Sequence, residues 1–133
     1  MTYNTFKKAN RIFSIFFAGA LLVFGMSNSL AESSGNKINV PFKFANGMKK
    51  YQELCSVCHG DVLQGTKAGP PLLHPFYKPS HHADVTFYRA ALKGVQAHHW
   101  EFGDMPPVPG ATKEILDAIV PFVRWYQQEK GLY

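Results

Sequence analysis

Cysteine is scarce in this sequence of 133 residues, which contains only two. Two cysteines exclude a framework of several disulfides, and they exclude the four-cysteine zinc sites of small domains. The sequence also lacks paired carboxylates, a nucleophile next to a base and a phosphate-binding loop, which are the residue sets that most enzymes need. We therefore expect one domain that is not an enzyme.

Long apolar runs are also absent. The longest covers residues 12–24, which is shorter than the roughly 20 residues that span a bilayer. It follows three basic residues and precedes a pair of small residues, Ser29 and Ala31, at the spacing that signal peptidase recognises. The pattern predicts a signal peptide over residues 1–31, cleaved before Glu32, in preference to an uncleaved membrane anchor.

Basic residues outnumber acidic ones by 14 to 9, but part of this excess lies in the predicted signal peptide. Its removal takes away Lys7, Lys8 and Arg11 and leaves 11 basic against 9 acidic residues, a net charge of +2. So small a charge indicates no nucleic-acid partner. Export predicts a periplasmic protein that contacts a membrane only through its partners, or through the signal peptide if that stays uncleaved.

Both cysteines lie in one short stretch, Cys55-Ser56-Val57-Cys58-His59-Gly60. This is the attachment signature of a c-type haem. On a helix, positions three and four apart share a face, so Cys55 and Cys58 can reach one edge of a haem while His59 points at its iron. The alternatives are a redox disulfide, which needs a thioredoxin-like context, and a zinc site completed by histidines.

The helical periodicity of the remaining chain predicts an all-α protein. We expect a flexible lead and then an extended strap over residues 32–45, kept extended by Pro41. A first helix then runs from an N-cap at Asn46 to Cys58, with Met48 on its apolar face as core filling. The glycines and prolines of residues 60–73 predict a loop on the His59 side of the haem, in which the Pro70 carbonyl can accept the ring N–H of His59.

Two further helices are predicted downstream. One is capped by Ser80 or Asp84 and runs to Lys93, with Gly94 as its end. Residues 95–110 are irregular because of their proline density. The last helix is capped by Thr112 and ends at Gly131; it continues through Pro121, which kinks it or costs about 3 kcal/mol.

These residues together resemble the class I cytochromes c, which carry one haem. The resemblance covers about residues 46–128, and it rests on motifs that follow in the family's order: Gly47-x-x-x-Tyr51, the attachment signature, Gly65, Gly69-Pro70-Pro71-Leu72, Met105-Pro106 and the terminal helix. Two features depart from the family pattern. These are Pro121 and the high histidine content around the second helix and the loop that follows it.

The resemblance implies a cytochrome c fold over residues 46–133, with three to four helices and long irregular loops around one covalently bound haem c. It implies that Cys55 and Cys58 attach the haem and that His59 and Met105 are the axial ligands of its iron. It also implies that Gly47 lets the first and last helices cross closely near Phe122 or Tyr126.

Met105 is not the only candidate for the sixth ligand. A histidine in its place would lower the potential of the haem, and the candidates are His74, His81, His82, His98 and His99. An open sixth position would indicate gas or peroxide chemistry instead. The pairs His81-His82 and His98-His99 are otherwise interpreted as solvated surface, a metal site or a docking patch. Trp100 is a candidate hydrogen-bond donor to a haem propionate; the alternative is that its ring only packs against its neighbours.

Two functions fit the sequence. The first is a diffusible carrier that moves one electron at a time between redox partner proteins, whose identity the sequence does not give. The second is a haem subunit bound permanently to a larger periplasmic or membrane oxidoreductase, with the apolar strap or the histidines as its interface. Peroxidase-like catalysis is a distant third, because it requires an open iron.

Overall fold

The computed structural model describes residues 38–133; the predicted signal peptide and residues 32–37 of the predicted lead lie outside this range. The described chain contains four α-helices and one 3-10 turn, Pro75–Tyr77. The helices are α1 (Phe42–Leu54), α2 (Ser56–His59), α3 (Asp84–Lys93) and α4 (Lys113–Glu129). Residues 38–133 form no strand, only two isolated bridges, so the predicted all-α fold is confirmed.

Helix α1 begins four residues before the predicted start at Asn46, and the prediction of an extended strap up to residue 45 is wrong from Phe42 onward. Pro41 is the N-cap residue, with an extended backbone (φ −54°, ψ 143°). Proline has no N–H to lose at a helix start, so it begins the helix here and does not prevent it. The extra turn places the Phe44 ring against Trp125 of α4, with ring centroids 5.2 Å apart.

The predicted bounds of α3 and the predicted start of α4 lie close to the observed ones. Helix α3 ends at Lys93, and Gly94 follows in a left-handed conformation with φ 80°. Its N-cap is Ala83, so neither predicted capping residue has that role, and Asp84 is instead the first helical residue. Thr112 does cap α4, since its side chain accepts a hydrogen bond from the backbone N–H of Ile115 at 3.3 Å.

The core lies where α1 crosses α4. Tyr51 and Phe122 are both fully buried, and their rings pack at a centroid distance of 5.6 Å. Helix α3 packs against α4 as well, and Met48 is packed against the core, as predicted. The buried apolar cluster is formed by Tyr51, Leu63, Leu72, Ala91, Leu116, Ile119, Phe122, Val123 and Tyr126.

Helix α4 runs without interruption through Pro121, as predicted. Pro121 removes the hydrogen bond that would reach the carbonyl of Asp117 one turn earlier. Both residues are exposed, so water can satisfy that carbonyl. The proline therefore costs the helix less at this position than it would on the face that packs against α1.

Gly47 sets the distance between α1 and α4. A methyl group added at its Cα would lie 2.2 Å from the carbonyl oxygen of Ala118 and 2.8 Å from the Cβ of Phe122. We expect Gly47→Ala to destabilise the protein by about 2 kcal/mol. The strain of overpacking, about 1–3 kcal/mol or more, exceeds the gain of about 1 kcal/mol in helix propensity. Thermal unfolding followed by circular dichroism measures the change.

Asn46→Ala is the matched control, because Asn46 is the neighbouring residue on α1 and is exposed. Its effect should stay within about 0.5 kcal/mol, as for most surface changes. Equal stability of the two variants would show that α1 and α4 do not cross at Gly47.

Candidate functional site

A large cavity of about 550 Å³ lies between the helices and the loops. Its volume falls within the roughly 300–1,000 Å³ of cofactor and ligand sites. Cys55, Cys58 and His59 line the cavity from one short segment of the chain. Met105 lines it from a loop much later in the sequence. The structure thus brings together the four residues that the sequence predicted as haem-binding residues.

The junction of α1 and α2 positions the attachment residues. Cys55 separates the two helices, and its carbonyl accepts hydrogen bonds from the backbone N–H groups of Cys58 at 3.2 Å and His59 at 3.0 Å. The buried Tyr51 hydroxyl stabilises the end of α2, because it donates to the carbonyl of Gly60 at 2.8 Å. Two cysteines and a histidine are therefore fixed on one wall of the cavity.

The Cys55 thiol does not have the character of a reactive redox cysteine. Within the described chain Cys55 and Cys58 form no disulfide. Burial, and then the nearby Cys58, raises the pKa of the Cys55 thiol to about 11. Reactive cysteines of disulfide exchange have lowered pKa values, so the raised pKa of Cys55 disfavours the redox-disulfide alternative.

His59 is held by the loop that follows it. Its Nδ1 lies 2.8 Å from the carbonyl oxygen of Pro70, the predicted partner. A carbonyl only accepts, so Nδ1 carries the proton and Nε2 keeps its lone pair. Burial lowers the pKa of His59, although the Pro70 contact acts against this, and the neutral ring is the form that can bind a metal.

Met105 is fixed at the base of a loop that we call the 96–104 loop. Its backbone exchanges two hydrogen bonds with Val95, both of 2.9 Å. The chain can approach here because residue 94 is glycine: an added Cβ would lie 2.6 Å from the carbonyl oxygen of Met105. The same Gly94 ends α3, so the end of the helix and the position of Met105 depend on one residue.

Trp100, in the 96–104 loop, also lines the cavity. Its indole Nε1 is buried and makes no well-aligned hydrogen bond among the described residues, although the Tyr77 hydroxyl lies near it. A buried donor without an acceptor costs about 1–3 kcal/mol, so such a group usually has a partner, which is either water or a bound molecule. A haem carboxylate is an acceptor of the right kind, and the residues around the cavity therefore fit a haem.

Only some of the histidines proposed as alternative ligands line the cavity. His82, His98 and His99 line the cavity, whereas His74 and His81 do not. His99 has a lowered pKa, first because it loses contact with water and then because His98, His81, His82 and His74 surround it.

A polar pair on α4 was not identified from the sequence. The Arg124 guanidinium is almost fully buried and donates to the Tyr77 carbonyl at 2.6 Å, to the His82 carbonyl and to Asp84 at 2.6 Å. Gln127, fully buried, donates to the Leu72 carbonyl at 2.7 Å. These bonds hold the loops beside the cavity onto α4. Their signal in the sequence is a polar pair three residues apart, next to the apolar stripe of the helix.

We expect Arg124→Met to destabilise the protein by about 3 kcal/mol. Methionine fills much of the space but leaves the carbonyls of Tyr77 and His82 without their donor. Lys113→Met on the same helix is the control, because the Lys113–Asp117 ion pair is exposed and solvent screening leaves it little effect on stability. Urea unfolding of both variants should separate them clearly, and similar midpoints would contradict the role given to Arg124.

The helices, the attachment residues and the cavity together define an electron-transfer haem protein. The family model named Cytochrome c matches residues 44–127, and the chain belongs to the cytochrome c family. Members of this family bind haem c covalently, and the cofactor of this chain is haem c, attached covalently. Comparison with curated proteins and with solved structures gave no significant match.

Proposed function

We propose that this protein is a periplasmic cytochrome with one haem c that carries single electrons between redox partner proteins. One observation supports this most strongly. Cys55, Cys58 and His59 on one segment and Met105 on another line the same cavity. When bound, the haem supplies the one-electron exchange between ferrous and ferric iron.

The attachment segment has two tasks in this proposal. Cys55 and Cys58 form thioethers and thereby keep the haem from dissociating. His59 binds the iron through Nε2, while its Nδ1–H donates to the Pro70 carbonyl and fixes the orientation of the ring. Replacement of Pro70 is tolerated only where the backbone keeps that carbonyl in place.

Met105 is the proposed sixth ligand. The hydrogen bonds to Val95 close the loop at its base and fix the backbone of Met105. A fixed backbone helps a weak thioether ligand to stay bound to the iron. A methionine paired with a histidine raises the potential of a haem. Trp100 is the proposed donor to a haem propionate, which would satisfy its buried indole nitrogen.

The location and the partners rest on the sequence. Export follows from the predicted signal peptide, and no helix within residues 38–133 is long and apolar enough to cross a membrane. The small net charge of the mature chain argues against a nucleic-acid partner.

A permanently bound haem subunit is the second candidate function. Two apolar side chains favour it: Phe42 is 97% exposed, and Val57, between the two cysteines, is 79% exposed. Exposed apolar residues are normal when scattered, but Val57 borders the cavity, where a partner would approach the haem.

Size-exclusion chromatography of a native periplasmic extract, followed by haem absorbance, tests the proposal. A free carrier elutes at the mass of the mature chain, whereas a subunit elutes with its partner. The reduced protein is then exposed to carbon monoxide. Failure to bind it supports a carrier with both axial positions filled, and free binding would instead indicate sensing or peroxide chemistry.

A further inference from the structure

Three histidines meet beside the haem cavity, although they come from different parts of the chain. His81 and His82 precede α3, and His99 follows it in the 96–104 loop. One ring nitrogen of each lies within 4.8 Å of one ring nitrogen of each of the others. We call these three residues the histidine cluster.

The spacing within the cluster suits a shared metal ion. The Nε2 atoms of His81 and His99 are 3.0 Å apart. Two nitrogens bound to one ion at roughly 2.0–2.1 Å are separated by about 2.9 Å at neighbouring corners of the square-planar geometry that copper(II) prefers, and by about 3.3 Å in the tetrahedral geometry of zinc. A hydrogen bond at this distance requires one of the two nitrogens to donate and the other to accept, and a bound metal would take the place of that proton.

His82 has the tautomer that a ligand requires. Its Nδ1 lies 2.5 Å from the carbonyl oxygen of Phe76, so Nδ1 carries the proton and Nε2 has the free lone pair. A backbone carbonyl behind the second nitrogen is the usual support of a metal-bound histidine.

The surroundings hold two of the three residues, His99 and His82, in place. The Phe76 ring stacks on His99 with centroids 4.3 Å apart. The buried Arg124 guanidinium donates to the carbonyl of His82 and so ties that residue to α4. Part of the arrangement is therefore fixed before any ion binds, which lowers the entropy cost of binding.

We propose that His81, His82 and His99 bind one transition-metal ion, and that copper(II) is the preferred ion. Imidazole nitrogens suit zinc, copper and nickel, and among divalent ions the general order of affinity places copper highest. His82 and His99 also line the haem cavity, so the ion would lie at its wall. This site goes beyond the proposed electron-carrier function and does not depend on it.

The test uses the complete mature protein with its haem and without a polyhistidine tag. The oxidised protein is dialysed against copper(II) and, separately, zinc(II) in the presence of a competing chelator. Metal analysis then counts copper or zinc per haem iron, and electron paramagnetic resonance examines the copper signal. We expect one copper per protein, nitrogen hyperfine structure from the imidazoles, and tighter binding of copper than of zinc.

His81→Gln and His99→Gln should each weaken copper binding by about tenfold or more, because each removes one of the three ligands. His74→Gln is the matched control, since His74 also packs against Phe76 but lies outside the cluster. It should bind copper as the wild type does.

Unchanged copper affinity in the double variant His81→Gln/His99→Gln would overturn the proposal. Tighter binding of zinc would overturn the choice of copper. If His99→Gln alters the haem spectrum of the metal-free protein as loss of an axial ligand does, His99 serves the haem and the proposed site is wrong. Haem content is measured separately, so failure of the haem assignment is distinguishable from failure of the metal site.

Discussion

His59→Ala is expected to abolish the accumulation of haem-containing protein. The imidazole supplies the proposed proximal ligand, and it lies on the same wall of the cavity as both cysteines. Without it the haem has no ligand from the attachment segment. The chain also encloses a cavity of about 550 Å³, and an empty cavity of that size removes much of the packing that a small domain needs.

The measurement is the haem-stained and immunostained yield of the exported protein. We expect a loss of holoprotein on the order of a hundredfold or more, because removal of a ligand itself should exceed the roughly 10–100-fold losses of metal affinity or activity that follow when only a supporting residue of a metal ligand is changed. His74→Ala is the control, because His74 does not line the cavity. A normal yield of His59→Ala holoprotein with an unchanged spectrum would contradict the role of His59.

Met105→Ala has the second largest expected effect. The oxidised wild type should show the weak long-wavelength charge-transfer band from thioether sulfur to ferric iron, and the variant should lack it. Cyanide and carbon monoxide should then bind, since alanine leaves the sixth position open. The potential should fall by the order of 0.1 V within the roughly 0.8 V range set by axial ligands, because the thioether favours ferrous iron.

Met48→Leu is the matched control for Met105. Met48 packs against the core and does not line the cavity, so its replacement should leave the band and the potential unchanged. Absence of the band in the wild type, together with a changed spin state in His98→Ala or His99→Ala, would assign the sixth position to a histidine. The protein would then exchange electrons with partners of lower potential.

Local patterns allowed the sequence to predict much of this site. The spacing of Cys55, Cys58 and His59 predicts that their side chains share a helical face. The Pro70 carbonyl was predictable as the partner of His59 because proline offers an acceptor without a competing N–H. Helix ends were predictable where the signal is local, as at Gly94 and Thr112.

Contacts between distant segments were not predictable in the same way. Arg124 reaches carbonyls more than forty residues away, and no local pattern records such a distance. The histidine pairs were visible as pairs, but only the fold brings His99 against His81. The start of α1 was missed for another reason, because Pro41 is compatible with both an extended segment and a helix N-terminus.

Acid–acetone extraction of the purified wild-type protein tests the central claim most directly. Thioether bonds from Cys55 and Cys58 survive this treatment, whereas a haem held only by its axial ligands is released. We predict that the denatured protein keeps its haem colour, that the solvent stays colourless, and that haem and chain are present in equal amounts. Release of the haem into the solvent would contradict covalent attachment at Cys55 and Cys58.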